Sequence, residues 1–224
     1  LLLYSLYSGD NQRLLHWLRI CPHKQFTTLD THDGIGVVDV KDLLTEEEID
    51  QTKEYLFSRG ANVKPIYNTT AYNNLDVYQL NCTYYSALGN NDDAYLLARA
   101  IQFFTPGIPQ VYYVGLLAGE NDIQLLEETK VGRNINRHYY SLEEAEENME
   151  RPVVQQLFQL MRFRNSYPAF DGQFSAEPIG DHGLRLTWQN EVHRAVLESD
   201  LKSHHFKISY WDPEVQHEQQ LTLK

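Results

Sequence analysis

Three stretches of the sequence bring together side chains able to do polar chemistry. In the first, a short apolar run from Phe26 to Leu29 leads into Asp30-Thr31-His32-Asp33-Gly34-Ile35-Gly36. That order predicts a strand delivering an imidazole and a carboxylate, His32 and Asp33, onto a glycine turn at its C-terminal end. In parallel α/β folds that end is where ligands bind and catalytic residues sit. An ionised carboxylate accepts charge-assisted hydrogen bonds about twice as strong as neutral ones, so Asp33 suits hydroxyl groups and His32 can hold a further one. Taken alone, such a pair also fits two ordinary solvated side chains. The second stretch is Gly132-Arg133-Asn134-Ile135-Asn136-Arg137-His138-Tyr139-Tyr140. The Arg133 guanidinium carries a planar fork of donors that reaches hydroxyls and a carboxylate together, although a lone Arg after Gly is equally a surface cation. The third, Leu75-Asp76-Val77-Tyr78-Gln79, alternates apolar and polar residues and reads either as an edge strand or as a functional loop.

The elements around these residues follow from their spacing. Leu14, Leu15, Trp17 and Leu18 predict a helix over 11–19, stopped by Pro22. Thr45 with Glu48 forms a capping box, so a helix is expected from about 46 to 59, ending at Gly60. Residues 61–91 are rich in Asn, Tyr and Thr and lack sustained periodicity; ordered loops of this length usually have a task. A helix from about Asp93 to Phe104 is broken by Pro106-Gly107, and Pro109 to Gly115 reads as a short buried strand. Ser141 with Glu144 caps another helix, within which Glu143, Glu146, Glu147 and Glu150 form a solvated face. The last helix starts at Pro152 with Val153, Leu157, Leu160 and Met161 inward. Beyond Phe170 the period changes to two. Leu184, Leu186 and Trp188 alternate with polar residues, as do Phe206, Ile208 and Tyr210, so a small antiparallel β-module is expected. His204 and His205 are expected on opposite faces of one of its strands, which makes them a poor metal pair. The boundary is expected near residue 168.

The composition narrows the function. The 224 residues carry a net charge of -12 with no basic cluster, which argues against nucleic acid, since phosphate neutralisation needs gathered cations. No apolar run reaches the ~20 residues of a membrane span. Fifteen Tyr against nine Phe favours flat apolar surfaces with polar tips. Cys21 and Cys82 have no metal-ligand spacing and form no framework, which fits reduced thiols in a cytoplasmic protein. Asn68-Thr69-Thr70 and Asn81-Cys82-Thr83 are formal glycosylation sequons, yet nothing else points to secretion. The chain lacks a starting Met, and it is expected to be a piece of something longer.

The string Leu29-Asp30-Thr31-His32-Asp33-Gly34-Ile35-Gly36 resembles the segment closing the seventh barrel strand in the α-amylase superfamily (glycoside hydrolase family 13), above all in sucrose phosphorylases and their near relatives. The resemblance extends over Tyr84 to Gly89, Ala98 to Phe104, Gly107 to Gly115, the Gly132–Tyr140 string, Arg151 to Val154 and Phe170-Asp171-Gly172. It implies an α/β fold: the C-terminal part of a (β/α)8 TIM barrel over 1–168, with a loop-rich insertion at about 34–91, and a small antiparallel β domain over 169–224. A complete barrel takes roughly 250 residues, so only two or three of its units fit here.

By the same resemblance, Asp33 is the third catalytic carboxylate, which stabilises the oxocarbenium-like transition state. Sugar hydroxyl bonds that tighten there supply several kcal/mol. His32 and Arg133 hold the glucosyl ring, and the loop carrying Leu75, Asp76, Tyr78 and Gln79 is the mobile acceptor loop. Asp76 and Gln79 would contact fructosyl, and Tyr78 would help hold phosphate. Many relatives have Asp where this chain has Asn134, which leaves the acceptor preference open. The nucleophilic Asp and the acid/base Glu would come from the fourth and fifth barrel strands, upstream of residue 1, so the isolated segment is expected to be inactive. The implied reaction is phosphorolysis of sucrose to glucose 1-phosphate and fructose, without cofactor or metal and with a homodimer as one open assembly. Phosphorylases of sucrose 6-phosphate, glucosylglycerol or glucosylglycerate are the alternatives within the family. An inactive remnant or a carbohydrate-binding protein is the alternative from another class.

Overall fold

The computed structural model describes residues 1–58 and 79–224. The chain divides into two compact units, one of Leu1–Thr27, Leu96–Pro109 and Gln155–Lys224, the other of Thr28–Tyr95 and Gln110–Val154.

The first unit holds helices Leu2–Ser8 and Gln12–Ile20 and an antiparallel sheet of five strands in chain order: Gln173–Ile179, Gly183–Gln189, Arg194–Asp200, Phe206–Asp212 and His217–Gln220. The predicted alternation is visible in Gly183–Gln189, where Leu184, Leu186 and Trp188 are buried and Arg185 is exposed. In Phe206–Asp212 only Ile208 is fully buried. Trp188 donates from Nε1 to the Phe104 carbonyl at 2.7 Å, which satisfies the indole within a cluster of Phe104, Phe170 and Phe174 rings. Fully buried Asn11 donates to the carbonyls of Gly180 and Gly183 at 3.0 and 2.7 Å, tying the start of a helix to a sheet hairpin.

A second, parallel pairing joins Phe26–Thr27 to Ile108–Pro109. The chain reaches Ile108 from helix Asp92–Phe104 through Gly107, whose φ is +123° and whose missing Cβ would lie 2.5 Å from the Gln25 carbonyl. Only glycine fits there. Helix, tight turn and parallel strand are the α/β alternation expected from the sequence.

Several local expectations need correction. The Pro109–Gly115 run is not a strand: extended pairing ends at Pro109, and Tyr113–Leu116 is a short helix. Short apolar runs fit either form, and here Tyr95 Oη donates to the Gly115 carbonyl while Leu116 N donates to Tyr112 O at 2.8 Å, which fixes a helical turn. Met161 is half-buried rather than inward, because Val153, Leu157 and Leu160 fill the buried face of helix Pro152–Ser166. His204 and His205 lie in the connection that precedes strand Phe206–Asp212, with His204 at φ +62°, not within a strand.

In the second unit, both predicted capping boxes form. Glu48 Oε2 accepts from Thr45 N at 2.7 Å at the start of helix Glu46–Ser58, and Glu144 Oε2 accepts from Ser141 N at 2.7 Å at the start of Leu142–Met149. The expected helix end at Gly60 lies outside the described residues. Buried Leu56, Tyr84, Tyr85, Tyr95, Val114, Leu126 and Ile135 form this unit's interior. Tyr85 Oη donates to Asp92 at 2.7 Å, and burial followed by that bond pushes its hydroxyl up to about 12. Cys21 and Cys82 are both free and buried. Among the described residues no helix is long and apolar enough to cross a membrane.

On the sheet's outer face, Glu198 sits between Lys207, at 2.6 Å, and Arg185, at 2.5 Å. These partners, Lys207 first, hold its carboxyl below the usual range. A carboxyl depressed in the fold adds stability above its unfolded value and loses it as pH falls through the folded one. Glu198→Gln is therefore expected to cost about 1 kcal/mol at pH 7. That difference should vanish in acid well below the ordinary Glu value of about 4.3. Urea unfolding at both pH values checks this; an equal loss at both would rule out the ionic origin.

Candidate active site

The His32-Asp33 pair occupies the tip of a tight turn closed by Thr31 and Gly34, which exchange backbone hydrogen bonds at 3.1 and 3.0 Å. Thr31 Oγ1 accepts from Asp33 N at 3.2 Å, a local polar turn of the kind Thr supports. Gly34 has φ +102°, and a Cβ there would lie 2.2 Å from the Leu80 carbonyl, so the turn requires glycine.

Side chains distant in sequence hold this turn by its carbonyls. Asn136 donates to Thr31 O at 2.9 Å, Arg137 Nε to His32 O at 2.7 Å and Asn81 to Asp33 O at 2.9 Å. Three consecutive carbonyls are thus fixed, which leaves the tip little freedom to reorient. The Asp33 carboxylate is held as firmly. Its Oδ1 faces Arg133 Nη1 at 3.0 Å and Arg137 Nη2 at 3.2 Å, and its Oδ2 faces His32 Nε2 at 3.3 Å. Two guanidiniums on one oxygen leave lone pairs on the other directed away from them, since a carboxylate offers about four acceptor positions.

Asp33 retains 25% side-chain exposure and Arg133 33%. Ion pairs this open contribute only ~0–1 kcal/mol each to stability, so their larger consequence is orientation. The arrangement can accept from hydroxyls at Asp33, donate from the two arginines and His32, and balance a developing positive charge close to the carboxylate.

The sequence-derived candidates fare unevenly. His32, Asp33 and Arg133 come together. The Asn134 amide instead donates to Thr129 Oγ1 at 2.9 Å, although its backbone lies in the same 3-10 turn, Gly132–Asn136. Gln79 is half-buried in a two-residue strand paired with Gly36. Leu75, Asp76 and Tyr78 lie outside the described residues. Arg137, Asn136 and Asn81 carried no expected role, yet they hold the turn. The available signal was the spacing of Arg133 and Arg137, four apart around Ile135, which is buried. Among the described residues no three His, Cys, Asp or Glu side chains are grouped to hold a metal ion.

No family model matches the chain. Sucrose phosphorylase of Streptococcus mutans is 54% identical over 220 residues, covering 96% of this chain and 46% of the relative. Glucosylglycerol phosphorylase of Marinobacter adhaerens is 49% identical, covering 96% and 45%. The crystal structure of sucrose 6F-phosphate phosphorylase from Thermoanaerobacter thermosaccharolyticum superposes with a TM-score of 0.89 at 47% identity, covering 98% of this chain and 45% of that one. The chain spans about half the length of the curated relatives it matches. With such identity sustained along nearly all its length, this chain belongs to the sucrose phosphorylase-like family.

Proposed function

We propose that the intact protein carrying this chain transfers a glucosyl group from sucrose to inorganic phosphate, giving glucose 1-phosphate and fructose with net retention. A nucleophilic carboxylate from the rest of the protein attacks the anomeric carbon as the fructosyl oxygen departs with a proton from a general acid. Phosphate oxygen then attacks the same carbon and frees the carboxylate. Such a retaining pair stands about 5 Å apart. Within this scheme Asp33 stabilises the cationic transition state, and His32 and Arg133 hold the glucosyl ring. Gln79 and Asn134, with Leu75, Asp76 and Tyr78, serve the acceptor. No turnover is expected from the 224-residue segment by itself.

The observation that carries this reading is the double arginine grip on Asp33 at a turn immobilised through three carbonyls. The parallel pairing of Phe26–Thr27 with Ile108–Pro109 supports these strands as the last two of a TIM barrel, followed by an antiparallel domain from about residue 169. Buried free thiols at Cys21 and Cys82 suit a reducing cytoplasm.

The similarity to phosphorylases named for sucrose 6-phosphate and glucosylglycerol makes the acceptor the point to test. The intact protein should be incubated with phosphate and, in turn, sucrose, sucrose 6-phosphate, glucosylglycerol and glucosylglycerate. Sucrose is expected to react fastest. Faster release of fructose 6-phosphate than of fructose would reassign the acceptor, and no glucose 1-phosphate from any donor would reject the enzyme reading.

A further inference from the structure

We propose that His138 is a positioning residue, which anchors the arginine-bearing segment 133–137 so that Arg133 and Arg137 meet Asp33 together. Nothing in the reaction scheme requires this histidine to touch substrate, and its contacts point elsewhere. Its Nδ1 lies 2.5 Å from Asp122 Oδ2, and its Nε2 lies 3.6 Å from Glu144 Oε1. Its backbone carbonyl accepts from Tyr113 Oη at 2.7 Å, and the Tyr140 ring packs edge-on with centroids 4.6 Å apart.

Each carboxylate partner is itself fixed. Asp122 is the N-cap of helix Ile123–Thr129 and accepts from Leu125 N at 2.7 Å. Glu144 completes the capping box of helix Leu142–Met149, where backbone and side-chain bonds with Ser141 come before His138 among the causes that lower its carboxyl. The imidazole thus meets the carboxylate at the start of one helix at hydrogen-bond distance and lies beside the carboxylate at the start of the next. Asp122 also donates its backbone N–H to Ile135 O at 2.7 Å. One residue therefore grips the segment twice, through the Ile135 carbonyl and through the His138 ring, on either side of Asn136 and Arg137.

The consequence follows from sequence adjacency. Arg137 immediately precedes His138 and makes two directed contacts with the turn, Nε to His32 O and Nη2 to Asp33 Oδ1. A fork of this kind is sensitive to small displacements of its backbone. Without the imidazole anchor, the end of the segment carrying Arg137 is free to drift. The turn then loses one of its three carbonyl contacts and Asp33 one of its two guanidiniums.

The test compares wild type, His138→Ala and His138→Asn in the intact protein. Asn keeps a short side-chain donor directed at Asp122. The first readout is hydrogen–deuterium exchange of peptides spanning 31–34 and 132–138. His138→Ala is expected to speed exchange in both, with His138→Asn restoring the wild-type rate. Unchanged exchange at 31–34 in His138→Ala would overturn the proposal. The second readout rests on the phosphorolysis reading. kcat/KM for the glucosyl donor is expected to fall on the order of tenfold in His138→Ala, as misplacement at a site costs, while KM for phosphate stays unchanged. Equal changes in the two KM values, or loss of active protein alone, would make the histidine merely structural. If wild type turns over no glucoside, the phosphorolysis reading fails, and the exchange data still decide the role of His138.

Discussion

Replacing Asp33 by Asn in the intact protein is expected to lower kcat at least ~100-fold, or ~2.7 kcal/mol of transition-state stabilisation. The change is isosteric, so packing of the turn should persist, and thermal unfolding should shift little. What changes is charge and polarity at one point. A carboxylate only accepts, whereas the amide has a donating end. With Arg133 and Arg137 both directed at Oδ1, the amide must either present its N–H2 group to two guanidiniums or turn its oxygen to them. In the second orientation a donor points at the position where substrate hydroxyls would donate. Either way the negative charge proposed to balance a glucosyl cation is gone. A loss below about tenfold, ~1.4 kcal/mol on the same scale, would mean that Asp33 does not have this role.

Arg137→Lys is the second large effect expected, and it is informative because it preserves charge. Arg137 divides its donors between the His32 carbonyl and the Asp33 carboxylate, at 2.7 and 3.2 Å. A lysine ammonium is a single point on a flexible stem and cannot occupy both positions. Because these contacts act through orientation, loss of one is expected to misplace Asp33 and lower kcat/KM by roughly 10- to 100-fold, ~1.4–2.7 kcal/mol of transition-state stabilisation. Because Arg133 shares the same carboxylate oxygen, the two arginines should not act additively. A double-mutant cycle over Arg133→Ala and Arg137→Ala is expected to give a coupling of about 0.5–3 kcal/mol. Additive losses would mean that the two side chains serve separate ligands. Steady-state kinetics with the glucosyl donor, with thermal unfolding as a control for folding, measures Arg137→Lys, the two alanine variants and their double.

The features legible in the sequence were those encoded locally. Thr45 with Glu48 and Ser141 with Glu144 announce helix starts within four residues, and both boxes form. The alternation through Leu184, Leu186 and Trp188 states which face of a strand is buried, and the sheet agrees. His32, Asp33 and Arg133 were legible for another reason, since their flanking strings resemble a known family. Arg137, Asn136 and Asn81 were not, because what they do depends on partners 104, 105 and 48 positions away. No local pattern distinguishes an asparagine that fixes a distant carbonyl from one in solvent. The Pro109–Gly115 run failed for a related reason: Tyr95, well back in the chain, supplies the hydroxyl that meets Gly115 in its helical turn.

The role proposed for Asp33, oriented by two arginines, is to stabilise positive charge on a bound glucosyl ring. It is tested most directly by titrating the intact protein, wild type and Asp33→Asn, with two ligands of the same shape. One is a glucose-like cyclic amine that is protonated at neutral pH, and the other is neutral glucose. A cationic mimic of the transition state should depend on Asp33 far more than a neutral ring does. The expected result is a rise in Kd of at least ~100-fold for the amine, ~2.7 kcal/mol, with less than a tenfold change for glucose. Equal weakening of both ligands, or no weakening of the amine, would contradict that role.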